Sequence, residues 1–295
     1  QNPTATGVVD GEVFTVVITS ADGCTSTCET VAVVNDNPVC EASNDCPICD
    51  GEPLSLNESG GAAVEWMWSS DGSAVIDDPT AQNPTATGVD EGEVLTVMIT
   101  DANGSTSTCE TVAEVFDNPV CAANNDGPIC DGETLGLSED GGEAVAWSWS
   151  SNGAAVIDDP AAQNPTATGV VDGEVFTVVV TDANGCTSSC ETVAQVNDVA
   201  DIIATNNGPI CVGDLLILEV EIMGGTEPFS FTWTKDGEVI SNNETVFIST
   251  ESMDDAGVYE VNVVDANGCA SSASTTAELN DNVTDPGIIA EDEYF

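Results

Sequence analysis

The segment QNPTATG begins at Gln1, Gln82 and Gln163, and the same spacing of 81 residues separates Cys28, Cys109 and Cys190 and again Cys49, Cys130 and Cys211. A chain that repeats at a fixed period of this length is an array of one supersecondary unit, whose stability comes from each unit and its neighbours. The breaks in the pattern fall near 36, 117 and 198, at NDNP, FDNP and NDVAD. They divide the chain into a C-terminal half module at 1–35, whole modules at 36–116, 117–197 and 198–279, and a linker or tail at 280–295.

Each unit reads as short strands between turn clusters, the pattern of a β-sandwich. In the third module, VCAANNDGPIC leads in, GETLGLS and AVAWSWSS are strands, and AVIDDPAAQNPTATG runs through a turn into an edge strand. EVFTVVVT and SCETVAQV close the sheet around the turn DANG, where Asn and Gly tolerate positive φ. Helical periodicity is absent. The expectation is an all-β chain of tandem sandwiches, and linkers of only a few residues leave little freedom between modules, so the array is expected to form a stiff rod.

The cysteines add a second constraint. The third module holds Cys121, Cys130, Cys186 and Cys190. The fourth keeps Cys211 and Cys269 at the second and third places but has Ile202 and Ala273 at the first and fourth, so the outer two are lost together. That co-loss predicts Cys121 with Cys190, Cys130 with Cys186 and Cys211 with Cys269. In the second module Cys40 and Cys109 keep the outer pair, Ser105 replaces the inner partner of Cys49, and Cys46 appears in CPIC. A local Cys46–Cys49 bridge is the simplest completion. Cys24 and Cys28 of the half module should then find partners 56 and 69 residues earlier, before Gln1. Zinc is the competing reading of C-x-x-C, but the chain has no histidine and one such motif, so a second ligand pair is missing. Disulfides imply an oxidising compartment and therefore a secreted or cell-surface chain.

Charge narrows the partners. The chain carries 53 acidic residues against one basic residue, Lys235, a formal net charge of −52, while hydrophobic residues make up 41 %, too many for a disordered acidic tail. Nucleic acid and anionic membrane surfaces are excluded as partners, because both are bound through Lys and Arg. No run of 18 apolar residues exists, so no direct membrane insertion is expected.

The fourth module carries the most specific pattern. Trp233 in FTWTKDG followed by DDAGVYEV resembles the immunoglobulin-like fold, with Trp on strand C and Tyr259 as the corner tyrosine. Phe14, Leu95 and Phe176 take the tyrosine's place in the other units, and Val261 stands where antibody domains carry the strand F cysteine. Across the modules, ICxG, a Trp strand and DANGC resemble the PKD-like and immunoglobulin-like repeats of large surface proteins of Bacteroidota, including gliding adhesins and secreted multidomain enzymes. The resemblance implies tandem immunoglobulin-like sandwiches and a role as a shaft or spacer.

Candidate chemistry is sparse. Trp66/Trp68 and Trp147/Trp149 alternate along strands, so each pair shares a sheet face, as core or as an aromatic platform for sugars. The carboxylate pairs Asp77/Asp78, Asp158/Asp159 and Asp254/Asp255 resemble a glycosidase's acid and base, but they recur in every whole module without histidine or arginine, so no enzyme is expected. Calcium fits such oxygens better, with Asp50, Glu52, Asp77, Asp78, Asp131, Glu133, Asp158 and Asp159 as donors. Asn57, Asn103, Asn243 and Asn282 lie in glycosylation sequons.

The function expected from these features is the structural shaft of an extracellular adhesin or surface filament, partnered by further repeats of the same chain or by filament neighbours, with surface glycans or polymers as ligands. The alternatives are a spacer or carbohydrate-binding array of a secreted enzyme, or a pilin-like subunit polymerising by strand donation. Residues 1–35 supply only the last strands of a module. Their apolar face is expected to be covered either by a longer repetitive chain or by a neighbouring subunit's strands.

Overall fold

The structure, a computed structural model, describes residues 2–281. Apart from one short 3-10 turn at Met253–Asp255, every regular element among these residues is a strand. The chain groups into two compact units, Gln1–Pro119 with Asp182–Cys186, and Val120–Thr181 with Thr187–Phe295. Most of the predicted tail, and the sequon at Asn282, lie outside the described residues.

In the first unit, the hairpin Val13–Thr19/Thr25–Val31 precedes a complete sandwich. One sheet of that sandwich orders Ala42–Asn44, Leu54–Glu58, Thr85–Thr87 and Val75–Ile76. The other places Val94–Asp101 between Ala63–Ser70 and Thr106–Val112. This is the ABED and CFG arrangement of an immunoglobulin-like domain. The alternation of buried and exposed residues along Leu54–Glu58 turns Leu54 and Leu56 inward, where they meet Trp68, Leu95, Val97 and Ile99.

The second unit contains two more sandwiches. In the first, Ala123–Asn125, Leu135–Glu139, Thr166–Thr168 and Val156–Ile157 form one sheet and Ala146–Ser151, Val175–Thr181 and Thr187–Val193 the other. In the last, Asp201–Asn206, Leu215–Met223 and Val246–Ser249 face a four-stranded sheet ordered Glu238–Ser241, Ser230–Lys235, Gly257–Val264 and Ala270–Ala277. Here Glu238–Ser241 pairs with the Trp233 strand, so one edge strand has changed sheets relative to the other two sandwiches. Trp233 is fully buried, and the Tyr259 hydroxyl donates to the Asp255 carbonyl at 2.7 Å, forming the corner expected from DDAGVYEV.

The lead-in segments hold elements that the sequence patterning did not resolve. Ile48–Cys49 pairs in parallel with Val115–Phe116, Ile129–Cys130 with Val196–Asn197, and Ile210–Cys211 with Leu279–Asn280. Two residues show no periodicity, so such strands are invisible to pattern reading. They set the inner cysteine of each module beside the segment by which the chain leaves that module.

Candidate functional site

Among the described residues four disulfides are present. Cys40–Cys109 and Cys121–Cys190, each 69 residues apart, close loops within one module. In both, the cysteine before the first strand meets the strand following the DANG turn, as the co-loss argument expects.

The inner cysteines require correction. Cys49 bonds Cys186 and Cys130 bonds Cys269, at separations of 137 and 139, so each inner bond joins a module to the turn of the next; Cys46–Cys49, Cys130–Cys186 and Cys211–Cys269 do not form. The reason lies in strand length. Cys130 is in register with Asn197 at the exit end of its module, whereas Cys186 immediately precedes Thr187–Val193 at the opposite end. At roughly 3.3 Å per residue these ends lie about 30 Å apart, far beyond the approximately 7 Å between Cα atoms that a disulfide spans. The same geometry separates Cys211, in register with Asn280, from Cys269. Cys46 packs against the core of its own module and accepts from the Glu114 amide at 3.1 Å, three residues from Cys49 and unbonded to it. One signal for this arrangement was present in the sequence: Cys49 is retained although Ser105 stands at its same-module partner position.

The turn that presents each inner cysteine is built by an aspartate. Asp182 Oδ1 accepts from the amides of Asn184 at 2.9 Å and Cys186 at 2.8 Å, and Asp265 repeats this with Asn267 and Cys269 at 2.9 Å. These are Asx turns, in which the side chain replaces a backbone acceptor. Cys186 and Cys269 are both buried.

A second constellation escaped the sequence reading: carboxylates buried without a cation. Glu139 is fully buried, and its oxygens accept from Trp147 Nε1 at 3.0 Å, the Gly141 amide at 2.7 Å and the Ala122 amide at 3.1 Å. Glu58 repeats the site with Trp66 Nε1 at 3.0 Å and the Gly60 amide at 2.7 Å. A Cβ at Gly60 or Gly141 would lie 1.9 Å from the Val39 or Val120 carbonyl, so only glycine fits there. Glu174 accepts from the Ser151 hydroxyl and the amides of Ala155 and Val171, and Glu93 from the Ser70 hydroxyl and the amides of Ala74 and Asp90. Burial pushes Glu93, Glu139 and Glu174 up, but the hydrogen bonds together outweigh it and hold all three below the ordinary value of 4.5. Co-replacement is the signal that marks them. In the fourth module Val220 stands for Glu139 and the tryptophan partner is lost; Gly257 and Lys235 stand for Glu174 and Ser151.

The tryptophan pairs form no sugar platform. Trp68 and Trp149 are buried, and Trp66 and Trp147 pack half-buried against the same cores with their indoles on the glutamates.

The proposed calcium donors do not converge: among the described residues no group of three or more histidine, cysteine, aspartate or glutamate side chains is placed to hold a metal ion. Glu52 and Glu133 accept from the amides of Cys49 and Cys130 at 3.1 and 2.9 Å. Asp77 and Asp158 accept from both the amide and the hydroxyl of Thr85 and Thr166 respectively, and these bonds hold their carboxyls below the ordinary value. Asp78 and Asp159 accept from the amides of Thr80 and Ala161 at 3.0 and 3.1 Å. Asp50 and Asp131 sit in the turns that follow Ile48–Cys49 and Ile129–Cys130. Six of these eight acids are thus engaged by amides or hydroxyls of their own chain.

No known family profile matches the chain. Over 77 residues, a quarter of this chain, it is 40 % identical to the decoration protein of Escherichia phage T5. The match covers 46 % of that protein, so the chain spans less than half the length of this relative. Among solved structures, it is similar to the N-terminal eight Ig domains of Down Syndrome Cell Adhesion Molecule, at 15 % identity and a TM-score of 0.41, over 91 % of this chain and 40 % of that one. It is also similar to extracellular domains 3-5 of Drosophila OTK, at 13 % identity and a TM-score of 0.33, over 79 % of this chain and 93 % of that one.

Proposed function

We propose that this chain is the load-bearing shaft of an extracellular adhesin or surface filament, of the gliding-adhesin kind that its repeat pattern resembles. The observation that carries the reading is the covalent route through the disulfides. A pull applied at Cys40 crosses directly to Cys109, follows the backbone from 109 to 121 and from 121 to 130, and crosses to Cys269. Apart from the end of Thr106–Val112 and the short strands Val115–Phe116, Ala123–Asn125 and Ile129–Cys130, the strands of the three sandwiches between Cys40 and Cys269 lie outside that route. The last module has no bridge of its own between its first and last strands, and Cys130–Cys269 shields it instead. Cys49–Cys186 and Cys130–Cys269 also add a second covalent connection between successive modules besides the linker. Four disulfides fit an oxidising, extracellular compartment. Among the described residues no helix is long and apolar enough to cross a membrane.

Single-molecule stretching of the full chain tests this. Oxidised protein should extend without module-sized steps between Cys40 and Cys269. Reduced protein should unfold in module-sized steps, those of the second and third modules including the 69 residues of a loop that the disulfide otherwise closes, or about 240 Å at roughly 3.5 Å per residue. Module-sized steps in the oxidised protein would refute the shaft.

A further inference from the structure

The two cross-module bonds follow one rule. The cysteine on the short parallel strand of a module takes the turn cysteine of the next module, as in Cys49–Cys186 and Cys130–Cys269. The fourth module carries the first half of this device unchanged. Ile210–Cys211 pairs in parallel with Leu279–Asn280 as its counterparts pair with Val115–Phe116 and Val196–Asn197, and the Cys211 amide donates to Asp214 at 3.1 Å as the Cys130 amide donates to Glu133 at 2.9 Å. Yet Cys211 is exposed and unbonded. The second half is also present: Cys24 closes the turn Ser20–Cys24, with the Ser20 amide on its carbonyl at 2.8 Å, and is likewise exposed and unbonded, whereas its counterparts Cys186 and Cys269 are bonded and buried.

We infer that Cys211 is a covalent docking site for a further module of this repeat, whose turn cysteine, of the kind that Cys24 exemplifies, bonds it. The partner is thus a module ending its hairpin turn in Gly-Cys, supplied by the same polypeptide or by Cys24 of a second copy. Formation requires a disulfide carrier of the oxidising compartment. The Cys211 thiolate attacks the carrier disulfide and releases one carrier thiolate. The turn thiolate then attacks the Cys211 sulfur and expels the second. Two protein thiols lose two protons and two electrons, and the carrier disulfide becomes two thiols. Cys46 has no part in this device, since Gly127 and Gly208 stand at its place in the other modules.

The inference deepens the shaft reading and rests on it for its role, but it is tested separately. Protein isolated from its natural source is alkylated before reduction and digested with a glutamyl endopeptidase, suited to a chain with 53 acidic residues and one basic. The expected result is loss of alkylation at Cys211, retention at Cys46, and recovery of the Cys211 peptide joined to a turn peptide that contains Gly-Cys. An unchanged mass of the carrying species on reduction assigns the partner to the same polypeptide; a fall in mass assigns it to a second copy. Alkylation of Cys211 to the same extent as Cys46, or its recovery on any other cysteine, overturns the inference. It would do so even if the stretching experiment upheld the shaft.

Discussion

The hairpins at Val13–Val31 and Val175–Val193 are nearly the same peptide in two environments. GEVFTVVIT and GEVFTVVVT lead into TSTCETV and TSSCETV, and both pair in the same register, Val13 opposite Val31 and Val175 opposite Val193. Their inner faces differ completely. Val178 and Val180 are 0 % exposed, whereas Val16 and Ile18 are 50 % and 61 % exposed. Turn chemistry and β-branched residues suffice for strands and register, because those depend on neighbours a few residues away. Burial needs the opposing sheet, which Leu135 and Leu137 help to supply in one case.

The largest expected difference between the two hairpins is at their strand cysteines. Replacing Cys121 and Cys190 with serine should destabilise the third module by about 4 kcal/mol in the chain-entropy model. Cys28→Ser, at the equivalent place in the first hairpin, should leave urea unfolding of this 295-residue chain unchanged. An equal loss at both would mean that Cys28 has a partner.

Next in size is the inner-face aromatic. Phe176→Ala should cost about 3 kcal/mol or more in urea unfolding followed by tryptophan fluorescence, and Phe14→Ala less than about 1 kcal/mol. Similar losses would show that the first hairpin's inner face is covered in solution.

A smaller effect is expected at the glutamates that begin the two hairpins. Glu12 and Glu174 both accept from the amide three residues earlier, but Glu174 also holds Ser151 and the Ala155 amide. Glu174→Gln turns an amide group toward these donors and should cost about 2 kcal/mol, against less than about 0.5 kcal/mol for Glu12→Gln. Equal effects would remove the distinction between the two sites.

The same glutamate gives a pH signature. Its folded carboxyl titrates below 4.5, so the stability it adds is fully present above that value and is lost as pH falls through the lower folded value. Acid also relieves the self-repulsion of a chain of net charge −52, an opposing trend common to wild type and variant. The decline of Tm below pH 4.5 should therefore be shallower in Glu174→Gln than in wild type. Parallel curves would show that this carboxylate does not contribute through its charge.

The sequence by itself determined the period, the strand-and-turn order, the corner at Tyr259 and the outer disulfides, because each is a matter of local spacing or of residues lost together between repeats. It did not determine where the inner cysteines go. Co-loss names which residues are coupled, and comparison inside one module presumed that the partner lies in the same unit. Only the tertiary structure showed that Cys130 and Cys186 stand at opposite ends of one sandwich, a strand's length apart, while the exit of one module meets the turn of the next. The buried glutamates were hidden for a related reason. A carboxylate with no cation reads as surface until the fold shows Trp147, Ser151 and glycine-lined backbone amides converging on it, and those contacts come from strands distant in the chain.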